Sequence, residues 1–201
     1  MANEPEGWNI PVDSRSKESE LLELLKGYEI IRHTNKEEDY NYMYPEDVTL
    51  EVVNPSKIEH LYIEISDDFT VFYSPWHTHY PSYEYYYKMM KNDIKKILNN
   101  EFGGYGVYKN DKWILSDIVE KSKEELNPKE IFSSIIKKLD NDYKYIGQDI
   151  DDSIKEDIDI IKDDIMETKK DLLKNKTVIK ILYWDEKLEY QYIDGEFIKV
   201  K

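Results

Sequence analysis

The sequence has no cysteine, which excludes disulfides, thiolate metal ligands and a cysteine nucleophile. Glycine is scarce, with seven in 201 residues, and there is no Gly-rich phosphate loop, dinucleotide fingerprint or Gly-x-Ser-x-Gly elbow. Positive charge is also short. Against 43 acidic residues stand 28 basic ones, of which only Arg15 and Arg32 are arginine, and the formal net charge is -15. A field of that sign repels phosphate backbones and anionic membranes and draws in cationic partners. Direct nucleic-acid binding and membrane association are therefore not expected. No apolar run is long enough to span a bilayer. The first residues carry Glu4, Glu6, Asp13, Arg15 and Lys17 instead of the apolar core of a secretory signal, so cytoplasmic residence is the expectation.

What is present is aromatic. Eighteen tyrosines and 40% hydrophobic residues suffice for a buried core in one domain of ordinary size. Residues 1–16, with Pro5, Gly7 and Pro11, read as a flexible arm. Residues 17–201 read as a single domain with a sub-boundary near 140–148.

Leu21, Leu22, Leu24, Leu25, Tyr28 and Ile31 give the apolar side of a first helix running to about Arg32. The period then changes to two, giving strands over Val48–Val53, Glu59–Ile65 and Phe69–Tyr73. Tyr83, Tyr86, Tyr87, Met90, Ile94, Ile97 and Leu98 recur at helical spacing and read as a core face, with Gly103-Gly104 ending that element. A hairpin follows over 105–115, and Asn127-Pro128 opens another helix. A further helix over Asp149–Leu173 carries a narrow seam of Ile154, Ile158, Ile161, Ile165, Thr168 and Leu172. Three short strands close the chain, the last two joined by Asp194-Gly195. This order predicts an α+β fold, a mainly antiparallel sheet with four to five helices packed on it.

Three constellations bear on function. The first is Trp76-His77-Thr78-His79-Tyr80, which holds half of the four histidines. On a strand, residues two apart share a face about 6.5–7 Å apart, so His77 and His79 form a candidate metal-ligating pair. Zinc or iron needs at least a third ligand, for which Glu64, Asp67 or Asp68 is available; packing or surface hydrogen bonding explains such a pair equally. His33 and His60 stand alone in ordinary sequence. No cofactor is called for.

The second constellation is acidic. From Asp149 to Asp171 the chain has ten acids and four lysines. Lys169, Lys170 and Lys174 suit the C-terminal end of a helix dipole. Mid-helix, Asp157, Asp159, Asp163 and Asp164 repel one another at a few tenths of a kcal/mol per pair. They read either as a solvated face or as a docking face for a basic protein, which would discharge them on arrival. The third is the loop with Tyr40, Tyr42 and Tyr44. Tyrosine is favoured where protein surfaces meet, so Tyr42 and Tyr44 are candidate contacts, though such rings also cover sheets.

The run Asp68-Phe69-Thr70-Val71-Phe72-Tyr73, then Trp76-His77-Thr78-His79-Tyr80, then Lys112-Trp113-Ile114, resembles a pattern in small bacterial proteins. Some of those resemble immunity proteins of polymorphic or contact-dependent toxin systems. The likeness covers about Val48–Val119. It implies a non-enzymatic protein that binds and blocks a cognate toxin, often a basic nuclease, and it assigns no catalytic residue. The rival from another class is a metal-dependent enzyme centred on His77 and His79. A structural domain whose acidity serves only solubility is the third reading.

Overall fold

The computed structural model describes residues 5–121, 127–145, 155–174 and 176–200. The fold is α+β, as its pattern of periods predicts, with two antiparallel five-stranded sheets in place of one. The chain forms two compact units. Among the described residues, the first holds 5–105, 116–121 and 181–187, and the second holds 106–115, 127–145, 155–174, 176–180 and 188–200. The sub-boundary expected near 140–148 runs into residues 146–154, which lie outside the described residues.

The first unit is built on the sheet β1-β2-β3-β4-β5, whose strands neighbour one another in chain order. They are β1 (Ile30–His33), β2 (Val48–Val52), β3 (Leu61–Ile65), β4 (Phe69–Tyr73) and β5 (Trp76–Tyr80). Alternation decides the faces. Leu50, Val52, Leu61, Ile63, Ile65, Phe69, Val71 and Tyr73 are buried on one side. In the same core lie Leu21 of α1 (Glu18–Leu24) and Tyr87, Met90, Ile94 and Ile97 of α2 (Glu84–Leu98). Full burial of each such aliphatic side chain is worth about 1.5–3 kcal/mol, so this face dominates the unit's stability.

Two expectations fail here for identifiable reasons. The first helix stops at Leu24 and does not reach Arg32. Gly27 takes φ +102, and the β-branched Ile30-Ile31 that follow enter β1, antiparallel to β2. Gly103 and Gly104 do not end an element but lie inside β6 (Phe102–Lys109). A Cβ on Gly103 would come within 2.7 Å of the Tyr183 ring, and one on Gly104 within 2.8 Å of the Tyr73 carbonyl. Close approach of neighbouring groups, not turn chemistry, requires both glycines.

The segment read as an arm lies against the start of α2. Val12 N–H donates to the Ser82 carbonyl (2.9 Å), Glu84 N–H to Ile10 (2.9 Å), and Trp8 packs on Tyr86 (5.3 Å). Arg15 clamps the next stretch. Its guanidinium donates to Asp47 (2.8 Å) and pairs with Asp67 (2.9 Å).

The second sheet has the order β10-β9-β8-β6-β7. Its other strands are β7 (Lys112–Glu120), β8 (Thr177–Leu182), β9 (Lys187–Ile193) and β10 (Glu196–Lys199). Asp194 (φ 49) and Gly195 (φ 89) form the expected tight turn between the last two. Within the second unit α3 (Pro128–Tyr145) opens at proline, and the Asn127 side chain accepts the Lys129 N–H at 3.0 Å. Phe132 of that helix packs with Tyr192 (5.5 Å) and Phe197 (5.2 Å). The acidic helix is α4 (Lys155–Leu172), packed on α3. Asp149, Asp151, Asp152 and Ile154, which the sequence placed in this helix or its seam, lie outside the described residues.

Candidate functional site

On α4 the 3.6-residue period turns Lys162 and Lys169 away from most of the helix's acids, while Lys170 is exposed among them. Ile158, Lys162, Ile165, Lys169 and Leu172 recur on one side and are half-buried or buried. Lys162 lies over the Tyr143 ring of α3 at 5.7 Å, and Lys169 pairs with Asp140 of α3. The opposite side presents Ile160, Asp163, Asp164 and Glu167, with Asp159 beside it, all exposed. Among the described residues, Asp159, Asp163 and Asp164 make no ion pair. At the C-terminal end an acid is matched, where Asp171 meets Lys174 at 2.5 Å. Asp157 lies on the same helix. Of the expected seam, Ile161 is 44% exposed; Ile160, outside that seam, is 59% exposed. This surface therefore combines unpaired carboxylates with exposed aliphatic groups.

The first unit holds a different kind of surface. Register places two rows of side chains on the sheet face opposite the core. One row runs Ile31, Glu51, Tyr62, Phe72, His77, and the other His33, Thr49, Glu64, Thr70, His79. At one end lies a chain of alternating acids and imidazoles. His33 Nδ1 is 2.6 Å from Glu37 and its Nε2 is 2.7 Å from Glu51, whose other oxygen meets His60 Nδ1. Both nitrogens of His33 face carboxylates, which only accept, so the geometry calls for the doubly protonated imidazolium. Burial opposes that charge, but the bonds to Glu37 and Glu51 outweigh it and raise the His33 pKa above 6.5. Glu51 is lowered in turn: burial works against its charge, and the bonds to His60 and His33 prevail. Tyr40 stacks on His33 at 4.2 Å and lies 6.4 Å from Tyr42, so the imidazole anchors the tyrosine loop to the sheet.

That loop forms one side of a cleft of about 410 Å³. Tyr40, Tyr42, Tyr62, Phe72 and His77 line it together with Glu64. Tyr42 is 68% exposed and Tyr44, outside the cleft, 67%. Glu64 makes no hydrogen bond or ion pair among the described residues. Burial and the nearby Asp47 charge raise its pKa, and His79 offsets this only in part. Two glutamates on adjacent strands of one face thus differ: Glu51 is held by two imidazoles, and Glu64 has no donor among the described residues.

His77 and His79 share this face as expected, with rings 5.6 Å apart. His79 Nδ1 is 2.9 Å from the Thr70 hydroxyl, and His77 stacks on Phe72. The carboxylates considered as third ligands are placed elsewhere. Asp67 pairs with Arg15, and Asp68 accepts the Ser82 N–H at 2.7 Å. Glu64 and His79 are separated by a whole strand, about 10 Å between backbones. Among the described residues no three His, Asp or Glu side chains are grouped to hold a metal ion.

His33, His60 and Glu51 are the residues that local reading missed. They meet only once Ile30–His33 is a strand beside β2. Compared with protein-family models, curated proteins and solved structures, the chain matches none. Among the described residues no helix is long and apolar enough to cross a membrane.

Proposed function

We propose that this chain is a non-enzymatic binding protein that neutralises a cationic protein partner, as an immunity protein neutralises a basic toxin. The observation that carries the reading is the excess of exposed acid on α4, where Asp159, Asp163, Asp164 and Glu167 stand with Lys170 as an exposed lysine. Lys162 and Lys169 turn to α3, and Asp159, Asp163 and Asp164 are left exposed without ion pairs among the described residues. Holding like charges together costs a few tenths of a kcal/mol per pair, a cost that an arriving basic surface reverses. The field of a -15 chain speeds encounter, and the exposed Ile160 and Ile161 supply apolar contact once water is expelled. Tyr42 and Tyr44 offer rigid aromatic contacts on the first unit. The mechanism is occlusion: the partner's working surface is covered, and no bond is made or broken.

The test is capture from the producing cells with the purified chain, identification of what is retained, and assay of that protein's own activity. The reading expects a basic protein whose activity falls stoichiometrically as the chain is added. Retention of only neutral or acidic proteins, or a retained basic protein that stays fully active when saturated, would contradict it.

A further inference from the structure

We infer that the cleft on the outer face of the first sheet is a guanidinium site that takes an arginine side chain of a basic protein. Three observations converge on that ligand. Glu64 is a partly buried carboxylate with no hydrogen-bond donor among the described residues, and its pKa is raised. Such a group is costly unless something supplies donors and positive charge. The lining includes the rings of Tyr40, Tyr42, Tyr62 and Phe72, and an aromatic ring attracts a cation placed over its face. The space, about 410 Å³, suits one side chain rather than a folded segment.

A guanidinium fits these features better than the other organic cations. It is planar, so it stacks between rings. It carries five donors in a fork that matches a carboxylate, and it gives up its hydration more readily than an ammonium does. A quaternary ammonium satisfies the rings but has no hydrogen to give Glu64. The rim is built to adapt. Tyr42 is 68% exposed and its ring lies against Tyr40, which stacks on His33.

The choice of a protein's arginine as the source rests on the function proposed above; the guanidinium chemistry of the cleft does not. The experiment keeps the two apart. Arginine blocked at both ends (N-acetyl-L-arginine methylamide) is titrated into the full chain, and amide and tyrosine ring signals are followed by NMR. Free L-arginine and tetramethylammonium are the comparison probes.

A saturable millimolar interaction is expected, of about -4 kcal/mol, shifting signals of Tyr42, Tyr62 and Phe72. Blocked arginine should bind at least as well as free arginine and better than tetramethylammonium. Glu64→Gln should weaken it by about ten- to a hundredfold, the range for losing hydrogen bonds to a charged group. The variant's undisturbed spectrum reports that the sheet is intact. An Asp159→Lys, Asp163→Lys, Asp164→Lys variant should bind the blocked arginine at this cleft like the parent, which separates the site from the acidic helix. Absence of saturable shifts at these residues, equal binding by Glu64→Gln, or a preference for tetramethylammonium would overturn the site. A strong preference for free arginine over the blocked form would overturn the protein source.

Discussion

At one corner of the first sheet, Glu37 and Glu51 meet His33, and Glu51 also meets His60. On the outer face of α4, Asp159, Asp163 and Asp164 make no ion pair among the described residues, and two of the helix's lysines, Lys162 and Lys169, meet α3 while Lys170 is exposed. The same excess of negative charge is thus handled in two ways. Where carboxylates fix the path of a loop, they are matched inside the chain. On the exposed side of α4, they are left for solvent or for a partner. Glu64 belongs with the second group although it sits on the same sheet face as Glu51, and this marks the aromatic cleft as the place on that face where a donor is missing.

The comparison breaks most visibly at Arg15. Its guanidinium is the charge partner of Asp47, whose side chain is 5% exposed. Arg15→Ala leaves that carboxylate buried and unpaired and should cost about 3 kcal/mol in urea unfolding. A loss below about 0.5 kcal/mol would show that matched charge is not what holds residues 44–47 in place.

Next comes the pair of glutamates. Glu51→Gln removes the charge that both His33 and His60 face, and should destabilise by about 2 kcal/mol. Glu64→Gln, on the neighbouring strand, removes a carboxylate without a donor and should be neutral or slightly stabilising. Equal losses for the two would erase the distinction between a satisfied and an unsatisfied acid.

Stability against pH gives a smaller effect with a definite sign. The His33 pKa is raised above 6.5, so its contribution is fully present below 6.5 and fades as pH climbs through the raised value. Glu37, lowered through its bonds to His33 and Thr34, and Glu51 contribute above 4.5 and lose this as pH falls through their lowered values. The network therefore supports the fold best between about pH 4.5 and 6.5. His33→Gln should flatten the alkaline side of the profile of urea midpoints; an unchanged slope there would remove His33 as the titrating group.

Smallest is the acidic helix itself. Asp163→Asn with Asp164→Asn relieves repulsion and should stabilise α4 by a few tenths of a kcal/mol, read as a rise in the thermal midpoint. A marked loss would mean these side chains have a structural duty in this chain.

The fold was legible wherever one period dominated. Strands β2 to β4, helix α2 and the closing meander follow from period two or 3.6 and from turn pairs such as Asp194-Gly195. It was illegible at Tyr28–His33, where helical spacing of Leu21, Leu25 and Tyr28 runs on into β-branched residues and only Gly27 marks the break. Gly103-Gly104 misled in the same way, since a glycine pair reads as punctuation, while its cause is a tyrosine ring and a carbonyl far away in sequence. The exposed acids of α4 were visible because they repeat along one helix. The Glu37-His33-Glu51-His60 chain and the cleft around Glu64 were not, because they depend on which strands lie side by side.

The central claim is that charge left unmatched on α4 belongs to a basic partner. Its most direct test is the salt dependence of the captured partner's affinity for the parent chain and for the Asp159→Lys, Asp163→Lys, Asp164→Lys variant. The account predicts steep weakening with added salt for the parent, and for the variant an affinity at least about tenfold lower with a flatter slope. Matching affinities and matching slopes would contradict it.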